Sequence, residues 1–281
     1  SAFDLRVCRR LGFGKDLQTG KIAKENLSES IKKGQQPKLL KITPQGVYFS
    51  SPIDGKKLFL GPIESIKIQQ ALGADIIFTF DECTPPNANY DYTKKSLKLT
   101  HRWAKVCLRA KKSDQALFGI VQGGKYFDLR KKSSKFISSL DFDGFGIGGE
   151  FGNNKKTMIR MLKAVVSELP EQKPRHLLGI GTIEEIFFAV GYGIDTFDST
   201  GPTREARAGG VFMRSYWESK GGIKEGKKHK WRVNLTNEEF KGDGAVLEKN
   251  CGCYTCRSGF SRAYLRHLFF ARELLVYRLL S

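Results

Sequence analysis

No stretch of this 281-residue chain is apolar for anything near the ~20 residues that a membrane helix needs. Its opening residues, Ser1-Ala2-Phe3-Asp4, lack the charged start and apolar core of a signal peptide. Both absences predict a soluble protein that works in the cytoplasm, with no membrane partner. Acidic residues are scarce, with 29 Asp and Glu against 48 Lys and Arg, for a net charge of +19. Such an excess favours a polyanionic partner such as nucleic acid, because phosphates attract Lys and Arg at long range. The lysines are scattered rather than blocked, so compositional drift is the competing reading of the charge. Histidine is rare, with four in all, and none follows any of the apolar runs described below. That argues against a histidine-based hydrolytic or metal site on those loops. Cysteines number six. Cys8, Cys83 and Cys107 stand alone, whereas Cys251, Cys253 and Cys256 form a C-x-C-x-x-C cluster. In a reducing compartment this spacing reads as metal thiolates before disulfides.

Hydrophobic content is ordinary, so a packed core is expected. Five short apolar runs recur: Asp75–Phe80, Leu117–Val121, Phe142–Ile147, Leu177–Ile180 and Ile194–Phe197. Each has the length of a buried parallel strand. Helical periodicity fills the intervals at Ser96–Ala110, Thr157–Leu169 and Ile183–Val190. Alternation of this kind predicts an α/β fold with a parallel sheet, and the spacing suits a (β/α) barrel. Upstream, Gly46–Leu60 predicts a hairpin turning at Asp54-Gly55. Downstream, Ser261–Leu280 has the period of one helix.

The run endings carry the chemistry. They are Asp81-Glu82-Cys83-Thr84, Gln122-Gly123-Gly124, Gly148-Gly149-Glu150, Gly179-Ile180-Gly181 and Asp198-Ser199-Thr200. In a parallel barrel all strand C-termini open on one face, where active sites lie. Each ending also has a plainer reading. Asp81 reads equally as a helix N-cap, Gln122-Gly123-Gly124 as a simple turn, and Arg204 and Arg207 as solvated surface. Asp195 is a rival carboxylate close to Asp198, though its place before the strand end favours a structural role.

Taken in order, Phe80–Pro85, Phe118–Gly124, Phe142–Gly149, Asp195–Asp198 with Pro202-Thr203-Arg204, and Cys251–Cys256 with Phe260–Leu268 resemble the motifs of the tRNA-guanine transglycosylase family, in its bacterial and eukaryotic queuosine branch. The resemblance covers roughly residues 46–280. It implies a (β/α)8 TIM-type barrel with a small zinc-binding subdomain near the C-terminus. The corresponding division is an unclassified basic segment at 1–45, barrel elements with the active site at 46–215, and the zinc subdomain with a C-terminal helix at 216–281.

The resemblance further implies a pentosyltransferase that exchanges guanine at the tRNA wobble position for a 7-deazaguanine, preQ1 or queuine, in queuosine biosynthesis. Asp198 matches the nucleophile that forms a covalent bond to ribose. Asp81, Gln122, Gly149, Leu178 and Gly179 match the groups that bind the base. Arg204 and Arg207 match the loop that grips tRNA. Cys251, Cys253 and Cys256 match three ligands of a structural Zn²⁺. The implied partners are tRNA, the deazaguanine base, and a second subunit in a homodimer or heterodimer.

Three departures stand out. The family's Asp-Ser-Gly-Gly-Phe/Tyr-Gln motif, which supplies a general acid/base, is missing, and only about 45 residues precede the hairpin. The barrel is therefore expected to be incomplete at its N-terminus, as in a fragment of a longer product. The family's fourth zinc ligand, a His, falls past Ser281, and His267 is not its match. Glu150–Asn154 replaces the family's residues beside the base's 7-substituent. The missing motif gives weight to an alternative, a non-catalytic tRNA-binding or partner subunit, against which Asp81 and Asp198 argue.

Overall fold

The computed structural model describes residues 40–51, 54–149, 155–219 and 231–281. It divides into two compact units, one ending at Phe197 and the other starting at Asp198.

The first unit begins with antiparallel strands β1 (Leu40–Ile42), β2 (Val47–Ser50) and β3 (Lys57–Leu60), in that order in one sheet. The β2–β3 hairpin turns where Asp-Gly predicts. Gly55 takes φ +73°, a conformation that a Cβ would strain, and the Asp54 carboxylate accepts the Lys56 amide at 3.1 Å.

Helices and strands then alternate: α1 (Pro62–Leu72), β4 (Ile76–Phe78), α2 (Tyr90–Ala110), β5 (Ala116–Val121), α3 (Phe127–Ser138), β6 (Gly144–Ile147), α4 (Lys155–Val166), β7 (Arg175–Leu177), α5 (Ile183–Val190) and β8 (Thr196–Phe197). The five later strands are parallel and lie in the order β4-β5-β6-β7-β8. A doubly wound sheet reverses direction at a switch point; an unbroken sequential order is that of a (β/α) barrel. The architecture expected from the strand–helix alternation is thus present.

Packing explains the composition of the central strands. Strand β6 reads Gly-Phe-Gly-Ile and is wholly buried. A Cβ on Gly144 would fall 2.5 Å from the Phe118 ring, and one on Gly119 would fall 2.4 Å from Phe142. The small residues make room for the phenyl rings of Phe118 on β5 and of Phe142 just ahead of β6. Around them Ile77, Trp103, Leu117, Phe145, Leu162 and Leu177 form one core. The helices take their starts from side-chain caps. Asn89 accepts the Tyr92 amide ahead of α2, and Thr182 with Glu185 forms a capping box on α5.

Two expectations need correction. The fourth strand spans Arg175–Leu177, not Leu177–Ile180. A buried arginine opens it, donating from Nη1 to Gly193 O at 3.2 Å and from Nη2 to Leu169 O at 3.1 Å, and Leu178-Gly179 turns out of the sheet. The C-terminal run is two helices rather than one, interrupted at Arg272, whose φ is +59°.

The second unit holds α6 (Gly201–Arg207), β9 (Gly210–Phe212), α7 (Arg214–Ser219), β10 (Arg232–Asn234), α8 (Tyr254–Arg257), α9 (Arg262–Phe270) and α10 (Leu275–Leu280). Strands β9 and β10 pair antiparallel. Ala206, Met213, Leu235, Phe240, Leu265 and Val276 form its own core. No helix among the described residues is long and apolar enough to cross a membrane.

Candidate active site and metal centre

The C-terminal ends of β4, β5, β6 and β7 bring four of the sequence-derived site residues together. Asp81 lies three residues beyond β4, and Gln122 directly follows β5. Gln122 Nε2 donates to Asp81 Oδ2 at 2.7 Å. Gln122 is only 4% exposed, and its Oε1 has no hydrogen-bond partner among the described residues. An orphaned buried acceptor costs about 1–3 kcal/mol, so this oxygen is poised for a donor from outside the protein.

Gly149, beyond β6, has φ +84°, and a Cβ there would lie 2.6 Å from that same oxygen. A Cβ on Gly148 would meet Gln122 Nε2 at 3.1 Å and Leu178 Cδ1 at 3.2 Å. The Leu178 amide donates to Ile147 O at 3.0 Å, which fixes Leu178 beside the β6 end. Gly179, at φ +70°, is exposed at the adjoining turn.

Electrostatics at this junction follow from burial. Desolvation pushes Asp81 up to about 6, opposed by the Gln122 amide. Burial also raises Glu82, whose carboxylate accepts the Tyr92 hydroxyl, and raises the Cys83 thiol. The alternative role of Asp81 as a helix cap is not realised, since Asn89 caps α2.

Behind Gln122 stands a relay that the sequence did not announce. Its backbone N–H donates to Ser133 Oγ at 3.2 Å, and His101 Nε2 lies 3.2 Å from the same oxygen. His101 stacks on Phe136 at 4.1 Å between ring centroids. Burial lowers its pKa to about 4, with Lys132 and Lys105 adding to the effect, so the ring is neutral at pH 7. Arg130, fully buried on α3, donates from Nε to Gly124 O at 2.6 Å and from Nη2 to Gly148 O at 3.0 Å. In sequence it sits in Leu-Arg-Lys-Lys, which looks like a solvated basic face; no local pattern marks it.

Asp198 is exposed and is the first residue after β8 in the chain. Its rival Asp195 is spent on the backbone: Oδ2 accepts the Arg175 amide at 2.8 Å. Arg204 and Arg207 are exposed on α6, with no ion-pair partner among the described residues, while Glu205 between them bonds Arg232. Of the basic stretch Lys220–Arg232 only Trp231 and Arg232 are described, and Glu150–Asn154 lies outside the described residues.

In the second unit the sulfurs of Cys251, Cys253 and Cys256 lie within 4.8 Å of one another. A tetrahedral thiolate site with Zn–S bonds of ~2.3 Å puts sulfurs roughly 4 Å apart, so the cluster can close on a zinc-sized ion with small adjustments. The Cys256 amide and neighbouring thiols favour the Cys253 thiolate, whereas burial pushes Cys256 up to about 12. Thr255 Oγ1 donates to Leu279 O at 2.7 Å and fastens the cysteine turn to α10. His267 is exposed and not part of the cluster. The cysteines, with Phe212, Tyr254 and Arg278, line a cavity of about 670 Å³.

Comparison with known proteins gives this arrangement a relation. The family model for queuine tRNA-ribosyltransferase matches residues 25–281. A protein of Archaeoglobus fulgidus is 44% identical over 276 residues, covering 96% of this chain and 67% of its own length. The queuine tRNA-ribosyltransferases of Natranaerobius thermophilus and Symbiobacterium thermophilum are each 46% identical, covering 87% and 86% of this chain and 62% and 58% of theirs. The chain spans about three fifths of the length of such relatives. A match over nearly all of its residues, joined to the parallel sheet and the cysteine cluster, shows that the chain belongs to the queuine tRNA-ribosyltransferase family.

Proposed function

We propose that this chain carries the base-recognition and nucleophilic part of a tRNA-guanine transglycosylase of the queuosine pathway. The observation that supports it most is the hydrogen bond of Asp81 to the buried Gln122, whose Oε1 is orphaned. The guanine edge offers N1–H and N2–H as donors and O6 as an acceptor. The ionised Asp81 carboxylate and Gln122 Oε1 are acceptors; Gln122 Nε2 and the Gly149 N–H are donors. The two sets complement each other, and a base flipped out of its stack presents that edge. Leu178 and Gly179 flank the base.

In the reaction, an Asp198 carboxylate oxygen bonds to ribose C1′ as the C1′–N9 bond breaks, and guanine leaves with the electron pair and takes up a proton. N9 of the incoming 7-deazaguanine, preQ1 or queuine, then gives its proton away and displaces Asp198, with net retention. Asp198 is assigned from its motif. Arg204 and Arg207 contact tRNA phosphates, in keeping with the net charge of +19. Cys251, Cys253 and Cys256 hold a structural Zn²⁺, which organises the second unit and takes no part in the chemistry. The working assembly is a dimer.

The test is incorporation of labelled guanine into tRNA by the gene product that carries this chain, with denaturing gels run alongside. Incorporation and a protein–RNA adduct are expected. An active enzyme whose Asp198→Asn variant still exchanges guanine would overturn the assignment, and no incorporation by the unaltered protein would overturn the activity.

A further inference from the structure

The base-recognition residues sit on two separate loops, and one buried side chain holds both. Gln122 and Gly124 belong to the loop after β5, which runs to Tyr126; Gly149 belongs to the loop after β6, which starts at Gly148. Arg130 Nε donates to the Gly124 carbonyl at 2.6 Å and Nη2 to the Gly148 carbonyl at 3.0 Å. The packing between them is close. A Cβ on Gly123 would lie 2.7 Å from the Arg130 backbone nitrogen, and one on Gly149 would lie 3.4 Å from Nη2. Arg130 has no exposed surface.

We propose that Arg130 is the positioning residue that sets the separation of Gln122 from Gly149, and so the width of the slot that takes the base. This rests on the function proposed above. The chemistry explains why an arginine is needed. Two carbonyls on different loops must be met along two directions from one rigid plane, which a guanidinium does and a single ammonium cannot do as well. Taking a cation out of water is costly. That cost is not needed to bury a helix face, where Leu129 and Ile137 already serve. Arg130 touches neither base nor ribose; it acts through the backbone of the loops. Loss of the fork should let the loops drift, and displacements of an ångström at a binding slot cost roughly ten- to a hundredfold.

The experiment compares the gene product carrying this chain with its Arg130→Lys variant. Guanine binding is measured by calorimetry, tRNA binding by filter retention, and exchange by kcat and KM. Arg130→Lys should weaken guanine binding about tenfold or more and raise KM for guanine, while tRNA affinity stays within about twofold. In Arg130→Ala, added guanidinium should restore guanine binding, and methylammonium should not. A purely structural arginine would lower thermal stability and leave guanine affinity per folded molecule unchanged; that result would overturn the proposal.

Hydrogen exchange on the unaltered protein gives a readout that does not depend on a variant folding. Guanine should protect the amides of residues 122–124 and 147–149 together, and protection of one loop alone would overturn the coupling. If the unaltered protein binds no guanine, the function proposed above fails and this inference falls with it. If it binds and Arg130→Lys binds equally, only the inference fails.

Discussion

The two ends of the parallel sheet use the same amino acid in opposite ways. At the N-terminal ends, Asp143 ahead of β6 accepts the Leu117 amide of β5 at 2.8 Å, and Asp195 ahead of β8 accepts the Arg175 amide of β7 at 2.8 Å. Each carboxylate laces its strand to the preceding one, and that of Asp143 also pairs with Lys111 at 3.5 Å. At the C-terminal ends, Asp81 takes no backbone amide in this way. It faces a glutamine side chain inside a site that raises its pKa. Asp143 and Asp195, at strand starts, hold the sheet, whereas Asp81, beyond a strand end, meets the Gln122 side chain. Asp195 belongs to the first kind, and the function proposed above assigns Asp198, three residues on, to the second.

The sharpest way to break the comparison is that pair. Asp198→Asn should lower guanine exchange by on the order of a thousandfold or more, with tRNA affinity nearly unchanged. Asp195→Asn should exchange guanine at nearly the rate of the unaltered protein, measured per folded molecule. A reversal of the two outcomes would dissolve the distinction between strand starts and strand ends.

Metal removal asks whether the second unit, whose described strands form one antiparallel pair, depends instead on its cysteines. Purified, reduced protein should contain zinc by elemental analysis, and Cys253→Ser should lose it. The accompanying fall in the melting temperature of the second unit should exceed that caused by any single aspartate change at the sheet, because binding of a structural metal is itself folding free energy.

Asp81 should carry a pH signature of its own. Its pKa is raised from 3.8 to about 6 in the folded state, so the fold binds the proton more tightly than the unfolded chain does. The group therefore costs stability above about pH 6, and the cost is relieved as the pH falls from about 6 toward 4. Guanine binding runs the other way. It needs the ionised carboxylate as acceptor, and affinity should fall roughly tenfold per pH unit below about 6. Asp81→Asn should weaken binding, since an amide meets donors with donors, and should remove this titration. A binding profile that kept its inflection in Asp81→Asn would assign it to another group.

Smaller effects complete the contrast. Arg204→Ala with Arg207→Ala should reduce the log–log salt slope of tRNA binding by about two units. Asp143→Asn and Asp195→Asn should each cost about 1 kcal/mol, seen as a few degrees in melting temperature.

Much of the first unit was legible because its elements are marked locally. Asp54-Gly55 announces the hairpin, the helical period at Ile183–Val190 announces α5, and the apolar run at 117–121 announces β5. The errors came where long-range contacts override local pattern. Strand β7 starts at an arginine whose charge is satisfied by carbonyls of residues 169 and 193, which no hydrophobic scan anticipates. Helices α9 and α10 are separated at Arg272 without a glycine or proline to signal the break. Helix α2 starts at Tyr90, six residues before the periodic stretch, because Asn89 caps it.

The candidate site divides along the same line. Sequence alone determined the alternation of strands and helices, the glycine and carboxylate turns that follow the apolar runs, and the cysteine spacing, since each is a pattern over a few neighbouring positions. Only the tertiary structure decided that Gln122 reaches Asp81 with Gly149 and Leu178 alongside, that Ser133 and His101 support it, and that Arg130 joins its loops. The physical reason is that a polar side chain in a lysine-rich helix looks the same in sequence whether it meets water or a carbonyl. Its partner comes from another strand's loop, and only packing brings the two within hydrogen-bond distance.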